Sequence, residues 1–120
     1  MDYCILIKME VKKSIFLRTF GDTPIIRVLD FLATYSMYDY SMTDIANNAG
    51  IGYTTLKLFW KDFVNKEIVI QTRMVGKAKM YHLNKDNTVV RDFLRLYNTI
   101  IEKETDKIIA KEKSITLNAG

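Results

Sequence analysis

The sequence is poor in residues that carry covalent and metal chemistry. One cysteine and one histidine stand among 120 residues. A lone cysteine, Cys4, excludes an intramolecular disulfide and points to a reducing compartment. It has no basic neighbour before Lys8 and no histidine near it in sequence, so it reads as an inert or free thiol. His82, isolated in a strand-like stretch, makes neither a zinc site nor a catalytic triad. Gly50-Ile51-Gly52 precedes no Gly-Lys-Ser/Thr and follows a helical pattern instead of a strand, which excludes a nucleotide loop. The carboxylates are scattered, with no pair on one apolar face. The expectation is a protein that is no enzyme, with no metal and no cofactor.

Long apolar runs are missing too. No stretch approaches the roughly 18 consecutive apolar residues that a membrane-spanning helix needs. The apolar run Tyr3 to Ile7 has no basic residue before it and does not read as a secretory signal. Together these predict a cytoplasmic protein. One proline and five glycines leave few enforced breaks, so each break is informative.

What is present suffices for one packed domain: 48% hydrophobic and 12% aromatic residues. The charge is uneven. From Ile51 to Lys85 seven basic residues (Lys57, Lys61, Lys66, Arg73, Lys77, Lys79, Lys85) face two acidic ones (Asp62, Glu67). That stretch carries +5 of a total of +4, so the remainder carries −1. A basic block on a near-neutral chain suits a polyanionic partner, nucleic acid or an acidic membrane surface.

The N-terminal stretch alternates apolar and polar residues from Ile5 to Val11, partly like a strand, and Ser14 to Phe20 suits a helical turn or two. Gly21 and Asp22 break the chain. Thr23 is then a cap and Pro24 fits the first helical position, where its missing N–H costs nothing. Ile25, Val28, Leu29, Leu32 and Ala33 step at helical spacing, which predicts a helix over 24–36. Tyr38 to Tyr40 form a short connector with one rung of strand. Ser41 with Asp44 makes a capping box, and the helix it opens runs from 42 to Gly50, a left-handed terminator. Another helix follows over 53–66, with Leu56, Phe59, Trp60 and Phe63 inward. The β-branched run Ile68 to Arg73 reads as a strand, Val75-Gly76-Lys77 as a turn, and Lys79 to Leu83 as the returning strand. After a polar break at Asn84 to Asn87, a long helical pattern runs from Thr88 to about Lys113, with a frayed tail over 114–120.

The order helix, short helix, tight glycine turn, longer helix, hairpin resembles the winged helix-turn-helix fold. The segment TDIANNAGIGYTTLKLFWKDFVNKEIV (Thr43 to Val69) and the hairpin QTRMVGKAKMYHLN (Gln71 to Asn84) carry the resemblance. FGDTPIIRVLDFL (Phe20 to Leu32) is similar to the opening helix of small archaeal winged-helix regulators. The implied fold is mainly α with a small β-hairpin (α+β), ending in a long C-terminal helix. The corresponding organisation is an extension over 1–22, a winged-helix domain over 23–85, a C-terminal helix over 86–113 and a tail over 114–120.

The resemblance implies sequence-specific binding of double-stranded DNA, in the role of a transcriptional regulator. The major groove, about 12 Å wide, admits one helix. With Leu56, Trp60 and Phe63 turned inward, the expected DNA-facing residues of the 53–66 helix are Tyr53, Thr54, Thr55, Lys57, Leu58 and Lys61. Tyr53 and Thr55 suit hydrogen bonds, Lys57 and Lys61 suit phosphates, and Leu58 suits a thymine methyl, although many relatives carry a polar or basic residue there. Arg73, Lys77 and Lys79 form a basic wing for the backbone or minor groove, with Gly76 permitting a positive φ at its turn. A lysine-bearing hairpin also serves simply to block edge-to-edge aggregation. The alternative function is a winged-helix module that holds a protein partner, favoured by the outward Leu58 and the absence of arginine in the 53–66 helix. Val90, Leu94, Tyr97, Ile101, Glu104 and Ile108 keep the 4-3 spacing of a coiled-coil seam, which predicts a homodimer through the C-terminal helix; the alternative is a helix that packs on its own core up to Ile101, with Ile108 and Ile109 overhanging.

Overall fold

The computed structural model describes the backbone of residues 15–119 and the side chains of 15–111. The alternating stretch Ile5 to Val11 and Cys4 lie outside the described residues. A short helix α1 over 15–20 is followed by α2 (Pro24–Thr34), α3 (Met42–Ala49), α4 (Tyr53–Asn65), the strands β1 (Val69–Val75) and β2 (Ala78–Leu83), and α5 (Thr88–Ala119).

Each helix start follows from its cap. The Thr23 hydroxyl accepts from the Ile26 N–H with Pro24 at the first helical turn, and Ser41 with Asp44 closes a reciprocal capping box on α3. Helix α2 ends at Thr34, short of the expected 36. Tyr35 leaves the helical region (φ −116°, ψ 42°), and the chain turns so that the Tyr40 hydroxyl donates to the Tyr35 carbonyl. Phe31 packs between Tyr35 and Tyr40, at ring separations of 5.4 and 4.8 Å. Aromatic packing thus overrides the helical spacing.

The tight link between α3 and α4 depends on Gly50, which takes φ 72° and ψ 34°. Its N–H and that of Ile51 return to the Asn47 and Ala46 carbonyls and close the end of α3. A side chain there would be strained in φ, and its Cβ would meet the Arg27 guanidinium at 3.2 Å. Arg27 donates to the Gly50 carbonyl while paired with Asp22, tying the start of α2 to the turn.

The core forms where α2, α3, α4 and the hairpin meet. Val28, Leu32, Ile45, Leu56, Val69 and Leu83 are its most enclosed members, with Trp60 edge-on to Tyr81 at 5.2 Å. The two strands pair antiparallel, and Tyr40 adds a single bridge to Tyr81, the strand rung expected from sequence. Helix α5 continues to Ala119, past the expected end at Lys113. Its first turns pack inward through Val90, Phe93 and Tyr97, with Phe16 of α1 meeting the Phe93 and Tyr97 rings. The Tyr97 hydroxyl donates to buried Asp30 at 2.8 Å and lies 2.6 Å from the Thr34 hydroxyl, fastening α5 to α2. Burial, with donation to Asp30, pushes that phenol well above its ordinary pKa.

Candidate nucleic-acid interface

Helix α4 has one apolar stripe and one polar face because its residues alternate at helical spacing. Leu56, Trp60 and Phe63 are buried, and Phe59 packs half-buried against the same core. This leaves Tyr53, Thr54, Lys57, Leu58 and Lys61 exposed, as expected. Thr55 differs. It is half-buried beside Arg27, Gly50 and Gly52 in a crevice at the start of α2, so its hydroxyl faces the helix junction. The reason is angular: Thr55 precedes buried Leu56 and falls on the α2 side of the helix.

Gly52 caps α4 without a side chain, leaving the first N–H groups of the helix without a side-chain acceptor. Tyr53, at that end, leans toward the wing. Its ring lies 5.6 Å from the Lys57 ammonium, a cation–π contact one helical turn along α4, and the same ring borders a cleft. This open cleft, about 250 Å³, is lined by Ser41, Met42 and Thr43 at the start of α3, by Tyr53, and by Lys77, Ala78 and Lys79 of the wing. One concave surface therefore joins two helix N-termini to a basic hairpin. Lys57, Lys61, Lys77 and Lys79 make no ion pair among the described residues.

The wing turns in two residues, Gly76 and Lys77, between the paired Val75 and Ala78. Gly76 takes φ 60° while Lys77 keeps a negative φ, the pattern of a II′ hairpin turn. Lys77 thus sits at the tip and Lys79 one residue into β2.

Arg73 departs from expectation. It lies in the body of β1 opposite Met80, not at the tip, and it is not free. Its Nε and Nη2 donate to the two carboxylate oxygens of Asp39 at 2.9 and 3.1 Å. The register shows why. Gln71 pairs with Tyr81 and Arg73 with Met80, so Thr72 is an inserted bulge residue. The bulge turns the Thr72 and Arg73 side chains toward the same carboxylate, and the Thr72 hydroxyl donates to Asp39 at 2.5 Å. The Arg73 guanidinium, then the Thr72 hydroxyl, hold the Asp39 pKa down at about 2. Asp39 is thus an element of the wing that the sequence reading missed. No local motif marks it, because its partner is 34 residues away.

Among the described residues, no group of three or more His, Cys, Asp or Glu side chains is placed to hold a metal ion. None of the described helices is long and apolar enough to cross a membrane.

Three helices around a glycine turn and a basic two-stranded wing define the winged helix-turn-helix fold. Comparison with solved structures gives the same result. MepR, a transcription regulator of the Staphylococcus aureus multidrug efflux pump MepA, superposes with a TM-score of 0.59 at 16% identity, covering 99% of this chain and 93% of MepR. A MepR mutant bound to an oligodeoxyribonucleotide superposes at 0.57 and 15% identity, over 99% of this chain and 92% of that one. The homodimeric winged helix-turn-helix DNA-binding domain of Mb0332 from Mycobacterium bovis, a possible ArsR-family transcriptional regulator, gives 0.52 at 16% identity, over 87% and 88%. No family model matches the sequence, and no curated protein matches it.

Proposed function

We propose that this protein is a cytoplasmic transcriptional regulator that binds double-stranded DNA, with α4 in the major groove and the wing on the flanking backbone or minor groove. The carrying observation is the cleft that brings Tyr53, Lys77 and Lys79 together, with exposed Lys57 and Lys61 further along the same α4 face. Four lysines, two on α4 and two on the wing, make no ion pair among the described residues and suit the phosphates of a duplex. The oligodeoxyribonucleotide complex of a MepR mutant shows that a similar fold engages DNA. Tyr53, Thr54, Lys57, Leu58 and Lys61 are assigned to the groove and Lys77 and Lys79 to phosphates. Arg73 is held by Asp39 and is not assigned to DNA, and Thr55 supports the helix start from the junction.

The winged-helix unit spans 23–85, and α5 serves as the arm of a homodimer. The arm differs from the sequence-derived seam. Val90 and Tyr97 are buried within the chain and Leu94 packs against its core, so the first half of that seam is already occupied. Ile108 and Ile109, 42% and 44% exposed on the distal half, remain for a second copy. The homodimeric state of Mb0332 supports this reading.

Selection of bound duplexes from a random pool tests the function. The expected result is enrichment of an inverted repeat whose half-sites are about one helical turn apart. A pool that stays random, with a stable protein complex recovered in its place, would select the protein-interaction alternative.

A further inference from the structure

Leu58 sits at the centre of the α4 surface proposed to meet DNA. It is 79% exposed, whereas Leu56, two residues earlier, is fully buried. At about 100° per residue, Leu58 lies about 200° around the helix from Leu56, on the pole opposite the core. Its helical neighbours one turn away are Thr54, Thr55, Lys61 and Asp62, all polar and all exposed except half-buried Thr55. Leu58 is therefore a single apolar knob on a polar face that carries charges of both signs.

That setting discriminates between partners. A protein surface that binds apolar side chains meets them in contiguous patches, typically of several hundred Å². Along α4 the residues three and four positions from Leu58 are all polar, so the helix offers no such patch there. A base edge in the major groove has one apolar group, the C5-methyl of thymine, surrounded by polar atoms. One knob among polar donors complements one methyl among polar acceptors.

We propose that Leu58 is a specificity-determining residue that packs on a thymine methyl, so that each half-site carries an A·T pair at the position Leu58 faces. This rests on the DNA-binding reading above.

The test uses the full chain and the duplex it selects. Each thymine is replaced in turn by uracil, which removes the methyl and leaves the Watson–Crick edge unchanged. One position per half-site loses affinity roughly fourfold, the value of one buried methyl-sized group. In Leu58→Ala that loss disappears, while Leu58→Met, which keeps the volume, retains most of it. Leu58 is exposed, so circular dichroism of Leu58→Ala matches the parent. A wild-type protein that binds its selected duplex with no uracil effect overturns this inference alone. So does a uracil effect that persists undiminished in Leu58→Ala. A protein that binds no duplex overturns the DNA-binding reading and this inference with it.

Discussion

At residue 50 the chain needs a left-handed conformation and at residue 39 it needs a carboxylate, for different physical reasons. Gly50 meets the first need through its missing side chain. Replacement by alanine places a Cβ at φ 72° and 3.2 Å from Arg27. The expected cost is about 1–2 kcal/mol of stability, read by denaturant titration; an unchanged midpoint would show that the turn relaxes freely. Asp39 is a matter of charge. Its folded pKa is lowered to about 2 from 3.8, so its stabilising contribution is complete above the ordinary value and is lost as pH falls from about 3.8 towards 2. A carboxyl-carbon NMR titration should place its midpoint near 2 in the parent and return it towards 3.8 in Arg73→Ala. A parent midpoint at 3.8 would remove the ion pair from the account. Gly50 was legible in the sequence because a glycine between two helical patterns has few other uses. Asp39 was not, because it acts on residues far along the chain.

Among the elements, helices were easier to read than the wing. Thr23-Pro24, Ser41 with Asp44, and Gly50 each carry a local reason for a boundary, and the structure starts α2 and α3 at the first two and ends α3 at the third. Helical spacing extends α2 to 36, but the helix ends at Thr34 because Tyr35 and Tyr40 close around Phe31, a packing preference that spacing does not show. The strands were found, but not the bulge at Thr72, which decides where Arg73 points. The wing accordingly carries two available lysines and one occupied arginine. Asp39→Asn should free Arg73 for a phosphate and steepen the dependence of log K on log salt by about 0.9. An unaltered slope would mean that Arg73 stays away from the backbone even when released.

For the whole molecule, the long last helix is the feature whose role divides. Its sequence pattern admits both a seam with a second chain and packing on its own core up to Ile101, because spacing alone does not distinguish the two. The structure separates the two: Val90 and Tyr97 are enclosed, while Ile108 and Ile109 are not. Substituting both isoleucines by aspartate should convert a dimer to a monomer in sedimentation equilibrium without loss of helix content. A double variant that stays dimeric would move the interface elsewhere.

DNA binding through the wing and α4 is the central claim, and the salt dependence of duplex affinity tests it most directly. For the parent protein log K should fall linearly with log salt, and Lys77→Ala with Lys79→Ala should make that slope shallower by about 1.8, two phosphate contacts at about 0.9 each. Affinity indifferent to salt, or a slope unchanged by removing both lysines, would contradict the account.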